Sequence, residues 1–467
     1  MTSVKSDDTV AAIATGAGKA GIGVVRVSGP LARSIATDIT ARTLDTRHAH
    51  YLPFLNADGT TIDVGIALLF DSPNSYTGED VLELQGHGGT VVLGMLLSRV
   101  VDCGARLAKP GEFTERAFLN NKLDLAQAEA VSDLIESSSI SAAQAAVRSM
   151  SGEFSARVHA IQKDITALRA WLEAALDFSE EEIDFLSDPT LKERAERIVD
   201  DFKATLLRAH QGQRLRDGLT LVIAGITNVG KSSLLNALSG EQSAIVTDIA
   251  GTTRDILREQ ITIEGIPLHV VDTAGLRNTD DKVEMEGIRR AKMAMASADH
   301  VLVVVDAERM QLPDVELPAQ VPVTLVVNKA DLAPAGNGMP EEAAIAVMLE
   351  HAAIISPQFK SVEVQNVFSL SVKSGAGLDN LRQHLLDLVG HNANLEGTFI
   401  ARQRHLDALA LAETACVAAL EKLRLGDMPE LAAEEFRQAQ LALDNVTGRF
   451  DSEDLLGEIF GAFCIGK

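Results

Sequence analysis

One short stretch of the chain combines residue types and spacing that could hold a phosphate. The stretch AGITNVGKSSLLNAL begins where the apolar run LTLVIAG ends, and it matches the pattern G-x-x-x-x-G-K-S with Gly225, Gly230, Lys231 and Ser232. A strand that feeds a helix through such a loop points successive backbone N–H groups at a phosphate. Lys231 could then reach the terminal phosphates, and the Ser232 hydroxyl could bind Mg²⁺. A glycine-rich turn before a helix is the structural alternative.

Two tetrapeptides follow Val- and Ile-rich runs further along the chain, in the order expected of a nucleotide-binding domain. DTAG begins at Asp272, whose carboxylate could hold Mg²⁺ through water, and ends at Gly275, whose N–H could contact a γ-phosphate. NKAD begins at Asn328 and ends at Asp331, whose carboxylate could accept hydrogen bonds from N1–H and the 2-amino group of guanine. Adenine offers no such pair of donors. NKAD alone could be an ordinary loop, but the three motifs in this order predict a guanine nucleotide site.

Two further segments complete the predicted site. TDIAGTTRD lies between the first two motifs, and we choose its Thr253 as the second magnesium ligand beside Ser232. SVK, at 371–373, lies where a loop behind the base is expected, although serine-rich loops of other kinds are common. The predicted nucleotide-binding residues are Asn228, Val229, Gly230, Lys231, Ser232, Ser233, Thr247, Asp248, Ile249, Ala250, Gly251, Thr252, Thr253, Asp272, Thr273, Ala274, Gly275, Asn328, Lys329, Ala330, Asp331, Ser371, Val372 and Lys373.

The usual groups that assist GTP hydrolysis are missing around these motifs. Leu276 follows DTAG in place of the glutamine that orients water in many GTPases, and the loop offers no obvious arginine finger. Lys231 and Gly275 remain as predicted catalytic groups. The Asn228 side-chain oxygen could bind a monovalent cation. Further oxygens for this cation could come from Thr247, Ile249 and Thr252.

The composition limits the compartment and the partners of the chain. Its 467 residues carry a formal net charge of -24, which argues against loose binding to nucleic acid or to an anionic membrane. An RNA substrate stays possible through a local basic patch or a basic partner. The three cysteines form no C-x-x-C pair, no apolar run approaches membrane-spanning length, and the first residues, MTSVKSDDTV, lack the apolar core of a signal peptide. We therefore expect a soluble, cytoplasmic protein that does not contact membranes.

The hydrophobic patterns that must position these motifs change three times along the chain. Short β-type runs with one helical stretch, VVLGMLLSRVVD, predict an N-terminal α/β domain over 1–120. Apolar residues spaced three and four apart predict helices over 121–217 and again over 381–467. Strands alternating with helices predict a parallel sheet over 218–380. The expected fold is α/β plus all-α, with a P-loop domain inserted into a discontinuous helical domain.

Segments from every region of the chain resemble the MnmE (TrmE) family of tRNA-modifying GTPases. They are PNSYTGEDVLELQGHGG, KPGEFTERAFLNNKLDLAQAEAVSDLI, AIVTDIAGTTRD, DTAGLR and the terminal FCIGK. The resemblance implies an N-terminal folate-binding and dimerising domain, a discontinuous helical domain and an inserted Ras-like G domain. It also implies a homodimer that works with the FAD-containing flavoprotein MnmG. Together they would place an aminomethyl or carboxymethylaminomethyl group on carbon 5 of the wobble uridine of certain tRNAs, with carbon from 5-formyl- or methylene-tetrahydrofolate.

The resemblance also implies roles for individual residues. In the G domain, Asn228 matches the family's potassium-binding asparagine, and Glu284 matches a glutamate that positions the attacking water. Hydrolysis would be activated by K⁺ and by dimerisation of G domains. From the sequence alone, Glu284 would be a solvated helix residue. The positions that match the family's folate contacts are Arg26, Glu83, Lys122 and Lys467.

Two other residues have more than one interpretation. Cys464 in FCIGK could take part in one-carbon chemistry or be a plain buried thiol. His87 in QGHGG has no second metal ligand at a useful spacing, and we interpret it as a turn residue. A GTPase of ribosome assembly would share every G motif, but it would leave the N-terminal region and FCIGK unexplained. A nucleotide-gated scaffold that only organises a partner enzyme is the third interpretation.

Overall fold

The described parts of the chain in the computed structural model fall into two compact units. The first unit comprises Met1–Ile135, Val147–Leu206 and Arg404–Lys467, and the second comprises Glu136–Ala146 and Leu207–Gln403. The described residues are 8–16, 18–137, 139–177, 189–239, 258–263, 266–272, 298–309, 321–332, 364–389, 397–425 and 429–448, with residue 311 and, near the C-terminus, 456, 459–461, 463 and 465–466.

The first unit begins with a six-stranded sheet of order β3-β4-β5-β2-β1-β6. Neighbouring strands are antiparallel, except that β1 and β6 run parallel. Strands β1, β2, β4 and β5 and helix α2 form where the β-type runs and VVLGMLLSRVVD predict them, whereas β3, β6 and α1 were not predicted. The bounds are β1 Val10–Ile13, β2 Ala20–Ser28, α1 Ala32–Thr40, β3 His50–Leu55, β4 Thr61–Phe70, β5 Val81–Gly88, α2 Thr90–Asp102 and β6 Arg106–Leu107.

Helices occupy the described residues that follow this sheet, as the three- and four-residue spacing predicts. Every apolar stripe on them needs a partner surface, because a single helix cannot bury its own apolar side chains. The helices are α3 Glu112–Leu119, α4 Leu125–Glu136, α5 Ile140–Met150, α6 Glu153–Asp177 and α7 Pro189–Asp217.

The second unit is built on another six-stranded sheet, of order β12-β11-β10-β7-β9-β8. All its pairs are parallel apart from β8 with β9. Crossover connections bring the carboxyl ends of parallel strands to one edge, so the loops after β7, β10, β11 and β12 lie together. The bounds are β7 Leu219–Ala224, α8 Lys231–Ser239, β8 Arg258–Ile263, β9 Ile266–Asp272, β10 His300–Asp306, β11 Val323–Asn328, β12 Val364–Ser369 and α9 Leu378–Val389.

Helix α9 packs on this second sheet, although the helical pattern assigns residues from 381 onward to the helical domain. The ring of His384 lies 5.0 Å from that of Phe368 on β12, and its Nε2 lies 3.0 Å from the Thr324 hydroxyl on β11. Leu381 and Leu385 of the same helix are buried. The helix therefore belongs to the second compact unit, which extends to Gln403.

Two C-terminal helices return the chain to the first unit: α10 Gln403–Leu425 and α11 Pro429–Thr447. Arg404 on α10 donates to both carboxylate oxygens of the buried Glu129 on α4, at 2.8 and 2.6 Å. A two-bond Arg–carboxylate contact fixes orientation as well as distance. It joins helical segments 275 residues apart, as a discontinuous helical region requires. None of the helices that the structure describes is long and apolar enough to cross a membrane.

Two histidines, one on β10 and one on α9, contact the hydroxyl of the same threonine on β11. The Thr324 hydroxyl lies 2.8 Å from His300 Nε2 and 3.0 Å from His384 Nε2. His300 Nδ1 is buried with no hydrogen-bond partner. Because a buried, unpaired N–H costs more than an unpaired lone pair, we assign the proton of neutral His300 to Nε2, which donates to Thr324. Burial, and then the charge of His384, lowers the pKa of His300 to about 4.

The free energy of unfolding of this second unit should therefore fall as the pH falls from 6.5 towards 4. His300 stays neutral in the folded unit, whereas in the unfolded chain it takes up a proton near its ordinary pKa of 6.5. As the pH falls, the unfolded state thus gains a proton before the folded state does. The free energy of unfolding should fall by about 3 kcal/mol in total. Urea unfolding of the full chain measures it, with the relevant transition identified as the one that bound GDP shifts.

Replacing His300 by Gln should flatten this pH dependence. The exposed His210 on α7, in the same unit, offers a matched control, because an exposed side chain loses little hydration on folding. His210→Gln should leave the dependence as it is. An equal slope in the wild type and in His300→Gln would contradict the assignment.

Candidate nucleotide-binding site

The loop between β7 and α8 has the backbone shape that a phosphate-binding loop needs. Asn228 and Gly230 have left-handed φ angles of 68° and 95°. A Cβ atom on Gly230 would lie 2.4 Å from Nδ2 of Asn328, and one on Gly225 would lie 2.5 Å from the carbonyl of Val304. Both positions therefore require glycine, because the loop passes directly against neighbouring strands.

Lys231 lies back over this loop instead of extending from the helix. Its side chain is buried, and Nζ donates to the carbonyls of Gly225 at 2.8 Å and Ile226 at 3.1 Å. The next two residues, Ser232 and Ser233, are exposed in the first turn of α8. The ammonium and the Ser232 hydroxyl thus lie at the mouth of the loop, where the phosphates and Mg²⁺ are predicted.

Asn328, at the end of β11, joins three of the predicted loops. Its Nδ2 donates to the carbonyl of Val229 in the P-loop at 2.8 Å. Its Oδ1 accepts from the backbone N–H of Lys329 at 2.8 Å and from that of Val372 at 3.2 Å. The asparagine of NKAD therefore acts as a brace between the phosphate end and the base end of the site.

Asp331 and Ser371 are placed together at the base end. Ser371 is buried, and its Oγ donates to Asp331 Oδ1 at 2.7 Å. Ala330 N–H donates to the carbonyl of Leu370 at 3.1 Å, which ties the two loops through the backbone. Asp331 is exposed in a 3-10 turn, with one carboxylate oxygen oriented by the serine. The SVK segment thus supports the residue predicted to read guanine, while Lys373 points to no described partner and is exposed.

Sequence reasoning missed Asp306, the last residue of β10. Its Oδ2 accepts from Lys329 Nζ at 2.6 Å, and Lys329 Nζ also donates to the carbonyl of Asn228 at 2.9 Å. The hydrogen bond from Lys329 holds the pKa of Asp306 below its ordinary value. The only hint in the sequence is that HVLVVVD ends in a carboxylate at the edge where the other motifs begin.

Several predicted site residues lie outside the described part of the chain, so their roles stay predictions. Asp272 ends β9, next to Ile223 of β7, and only its backbone position is described. The others are Thr247, Asp248, Ile249, Ala250, Gly251, Thr252, Thr253, Thr273, Ala274, Gly275, Glu284, Cys464 and Lys467.

The described residues provide one oxygen donor for each predicted cation. The exposed Ser232 hydroxyl suits Mg²⁺, a hard cation. The exposed Asn228 side chain has no hydrogen-bond partner among the described residues, whereas its carbonyl is bound by Lys329, so its amide oxygen fits K⁺. Within the described ranges, no three His, Cys, Asp or Glu side chains are grouped so that they could hold a metal ion.

The first unit brings together two of the residues expected to contact folate. Arg26 on β2 lies opposite Glu83 on β5, and Nη2 is 2.9 Å from Oε1. The guanidinium carbon lies 5.7 Å from the ring centre of Tyr76 and 5.8 Å from that of Phe113. The result is a partly buried ion pair with aromatic walls. Lys122 Nζ donates to the carbonyl of Pro73, in the same loop as Tyr76.

The C-terminal tail lies against this same unit. Phe460 and Phe463 pack in an apolar cluster with Leu125 of α4. A Cβ atom on Gly466 would lie 2.3 Å from the carbonyl of Ile13, at the end of β1. Among the described residues of the tail, Gly466 therefore approaches the sheet that carries Arg26.

His87 lies on a strand and contacts a carboxylate in the described structure. It lies on β5, and its Nδ1 and backbone N are 2.8 and 2.7 Å from the two carboxylate oxygens of Asp63. A Cβ atom on Gly86 would lie 2.5 Å from Asp63 Oδ2, so the glycine makes room for the carboxylate. The interpretation of His87 as a turn residue was wrong, because DVLELQGHGG continues as a strand to Gly88.

Comparisons with known proteins cover nearly the whole chain. Residues 9–122 match the family described as GTP-binding protein TrmE N-terminus, and residues 125–464 match the MnmE helical domain. A tRNA modification GTPase MnmE of Stutzerimonas stutzeri (strain A1501) is 52% identical over 473 residues, covering 99% of this chain and 100% of the relative. Its counterpart from Pseudomonas aeruginosa PAO1 is 52% identical over 469 residues, covering 98% and 99%.

The alignment with a solved GTP-binding protein from Sulfolobus solfataricus, in complex with GDP, covers 50% of this chain and 68% of the solved chain. Its identity is 19% and its TM-score 0.28, which is too low to bear on this chain. The curated relatives and the two family matches need no such support, since they extend over nearly every residue. They confirm the resemblance that the motifs indicate, and the chain belongs to the MnmE (TrmE) family of tRNA modification GTPases.

Proposed function

We propose that this chain is a GTPase that acts in tRNA modification together with the flavoprotein MnmG. The observation that carries the proposal is the brace at Asn328, which joins a glycine-requiring phosphate loop to a base loop headed by Asp331. Each part alone is compatible with other proteins. Their assembly at one edge of a parallel sheet favours a nucleotide that has both a triphosphate and a guanine.

In this proposal, each part of the second unit has one task in hydrolysis. Backbone N–H groups of the loop before α8 hold the phosphates, and Lys231 exchanges its loop carbonyls for phosphate oxygens. Ser232 would hold Mg²⁺, which neutralises charge on the phosphates when bound. Asn228 would hold K⁺, and Glu284 would position the attacking water, with a second G domain closing over the site.

The first unit would bind the one-carbon donor. The Arg26–Glu83 pair presents a hydrogen-bond donor and an acceptor side by side, and its guanidinium lies near the rings of Tyr76 and Phe113. A pterin offers a flat ring whose edge has both donors and acceptors, so this setting suits it. The ligand would be 5-formyl- or methylene-tetrahydrofolate, with Lys122 and Lys467 as further contacts in a homodimer. The carbon would pass to the wobble uridine of tRNA, with FAD held by MnmG.

The base contact supplies a direct test, the exchange of Asp331 for Asn. This change should weaken GTP binding at least tenfold and strengthen binding of xanthosine triphosphate, because a charge-assisted hydrogen bond contributes about 1.5–3 kcal/mol. Equilibrium titration with fluorescent analogues of both nucleotides measures it.

Ser371→Ala is the matched control for this test. It removes the bond that orients Asp331 but keeps the carboxylate. It should weaken GTP binding less than Asp331→Asn does and create no preference for xanthine. Unchanged GTP affinity in Asp331→Asn would refute the assignment of Asp331 to the base.

A further inference from the structure

Asp306 lies where the two nucleotide-binding loops meet, yet it belongs to neither motif. It is the last residue of β10 and pairs in register with Asn328, the last residue of β11. Its side chain is only 7% exposed. Oδ1 accepts from the backbone N–H of Glu308 at 2.9 Å, and this bond leaves Oδ2 oriented towards Lys329.

Lys329 transmits this orientation to the P-loop. Its ammonium bridges the carboxylate of Asp306 and the carbonyl of Asn228. Lys329 and Asn228 have φ angles of 61° and 68°, and only five non-glycine residues in the described part of the chain have a positive φ. Non-glycine residues keep such angles only where surrounding contacts hold them. A single hydrogen bond therefore links two strained residues on separate loops.

A second hydrogen bond also runs from a side chain of the NKAD loop to a backbone carbonyl of the P-loop. Asn328 donates to the carbonyl of Val229, one residue after Asn228. Two successive residues of the base loop thus hold two successive carbonyls of the P-loop. The amide of Asn328 is neutral and fixed by its own backbone contacts, whereas the flexible lysine needs a countercharge to stay in place. Asp306 is the carboxylate that the structure places in contact with it.

We infer that Asp306 is a positioning residue of the nucleotide site, which holds Lys329 on the carbonyl of Asn228 and thereby sets the P-loop conformation. Asp306 itself touches no nucleotide in this arrangement and acts through Lys329. The inference rests on the proposed binding of guanine nucleotides. Its consequence is that a residue outside the three motifs controls how long the nucleotide stays bound.

The test is the rate of GDP release from the full chain, measured with a fluorescent GDP analogue. Asp306→Asn keeps the size of the side chain but removes its charge, and it should speed release roughly tenfold, as expected for one charge-assisted hydrogen bond. In a Lys329→Met background, the same change should alter release by less than about twofold, because the residue through which Asp306 acts is gone.

Asp299→Asn is the matched control. Asp299 precedes the opposite end of β10, where Oδ2 accepts from Thr220 N–H at 2.8 Å, so its loss removes an equal charge far from the loops. Release should stay within about twofold of the wild type. A general loss of stability would speed release in both Lys329 backgrounds, which separates it from positioning.

Unchanged release in Asp306→Asn, or an equal acceleration with and without Lys329, would overturn the inference. Should Asp306→Asn fail to fold, Asp306→Glu keeps the charge and shifts the carboxylate by one methylene, and the same comparison applies to it. A wild-type chain that binds no guanine nucleotide would refute the proposed function itself, which is a different outcome from a normal wild type with an inert Asp306.

Discussion

GTP hydrolysis by the full chain should be faster in K⁺ than in Na⁺ by a factor of tens or more at matched ionic strength. We expect this size because the cation would take the place of an arginine finger, which contributes about 10³–10⁵ in rate. Leu276 replaces the water-orienting glutamine, and no arginine finger is evident in the sequence. A monovalent cation beside the phosphates would neutralise the charge that develops between them. Neutral side-chain and backbone oxygens such as those proposed here suit a large cation better than small, octahedral Mg²⁺. Phosphate release in KCl and NaCl measures the difference.

Two substitutions at Asn228 isolate its side chain from its backbone. Asn228 has a φ of 68°, which glycine adopts freely, so Asn228→Gly removes the amide without adding strain. The carbonyl that accepts from Lys329 remains. Asn228→Gly and Asn228→Ala should both lose the potassium response while still binding GTP.

Glu284→Ala should slow hydrolysis and spare binding. Equal rates of the wild type in K⁺ and Na⁺ would show that the cation does not replace the finger.

Removal of the last four residues, 464–467, should abolish tRNA modification while GTP hydrolysis stays largely intact. These residues belong to the first compact unit, and the P-loop, NKAD and SVK belong to the second. Gly466 approaches the carbonyl of Ile13 on the sheet that carries Arg26 and Glu83. The deletion leaves the apolar cluster of Phe460 and Phe463 in place. Modification assayed with MnmG, FAD, a tetrahydrofolate donor, GTP and tRNA measures the loss.

Cys464→Ser separates thiol chemistry from tail packing. If the thiol takes part in one-carbon transfer, the serine variant loses modification as the deletion does. If the tail acts by packing against the sheet, the serine variant stays active. Folate binding by both variants shows whether the donor site survives. Modification by the truncated chain at the full-length rate would contradict a role for the tail.

Contiguous motifs predicted much of the nucleotide site. A phosphate loop depends on glycines and backbone N–H groups within a few residues, so AGITNVGKSS indicates its conformation directly. The buried runs LTLVIAG and HVLVVVDA predict parallel strands because both faces of such a sheet are covered. The short strands β3, β6 and β8 and helix α1 were missed, since their apolar patterns are weak or brief. The fold class, α/β with all-α, is confirmed.

Charge partners were beyond prediction, because the residues that meet are distant in the sequence. Asp306 and Lys329 are 23 residues apart, and Glu129 and Arg404 are 275 apart. Nothing near Glu129 distinguishes it from other helical glutamates. Its burial against Arg404 depends on the return of the chain after the second unit. Likewise, α9 looks like part of the helical pattern, and its place on the sheet is decided by Phe368, Thr324 and His384 together.

By itself, the sequence determined the family and the order of the G motifs, and it predicted which residue types would contact phosphate and guanine. These depend on local backbone geometry, which short contiguous segments encode. Only the tertiary structure decided that Asn328 braces three loops, that Asp306 holds Lys329 on the P-loop, and that the tail approaches the Arg26 sheet. The physical reason is that strand register and chain return set which side chains come within hydrogen-bond distance. Those contacts, in turn, decide which of the many charged side chains that look alike in the sequence lie in the site.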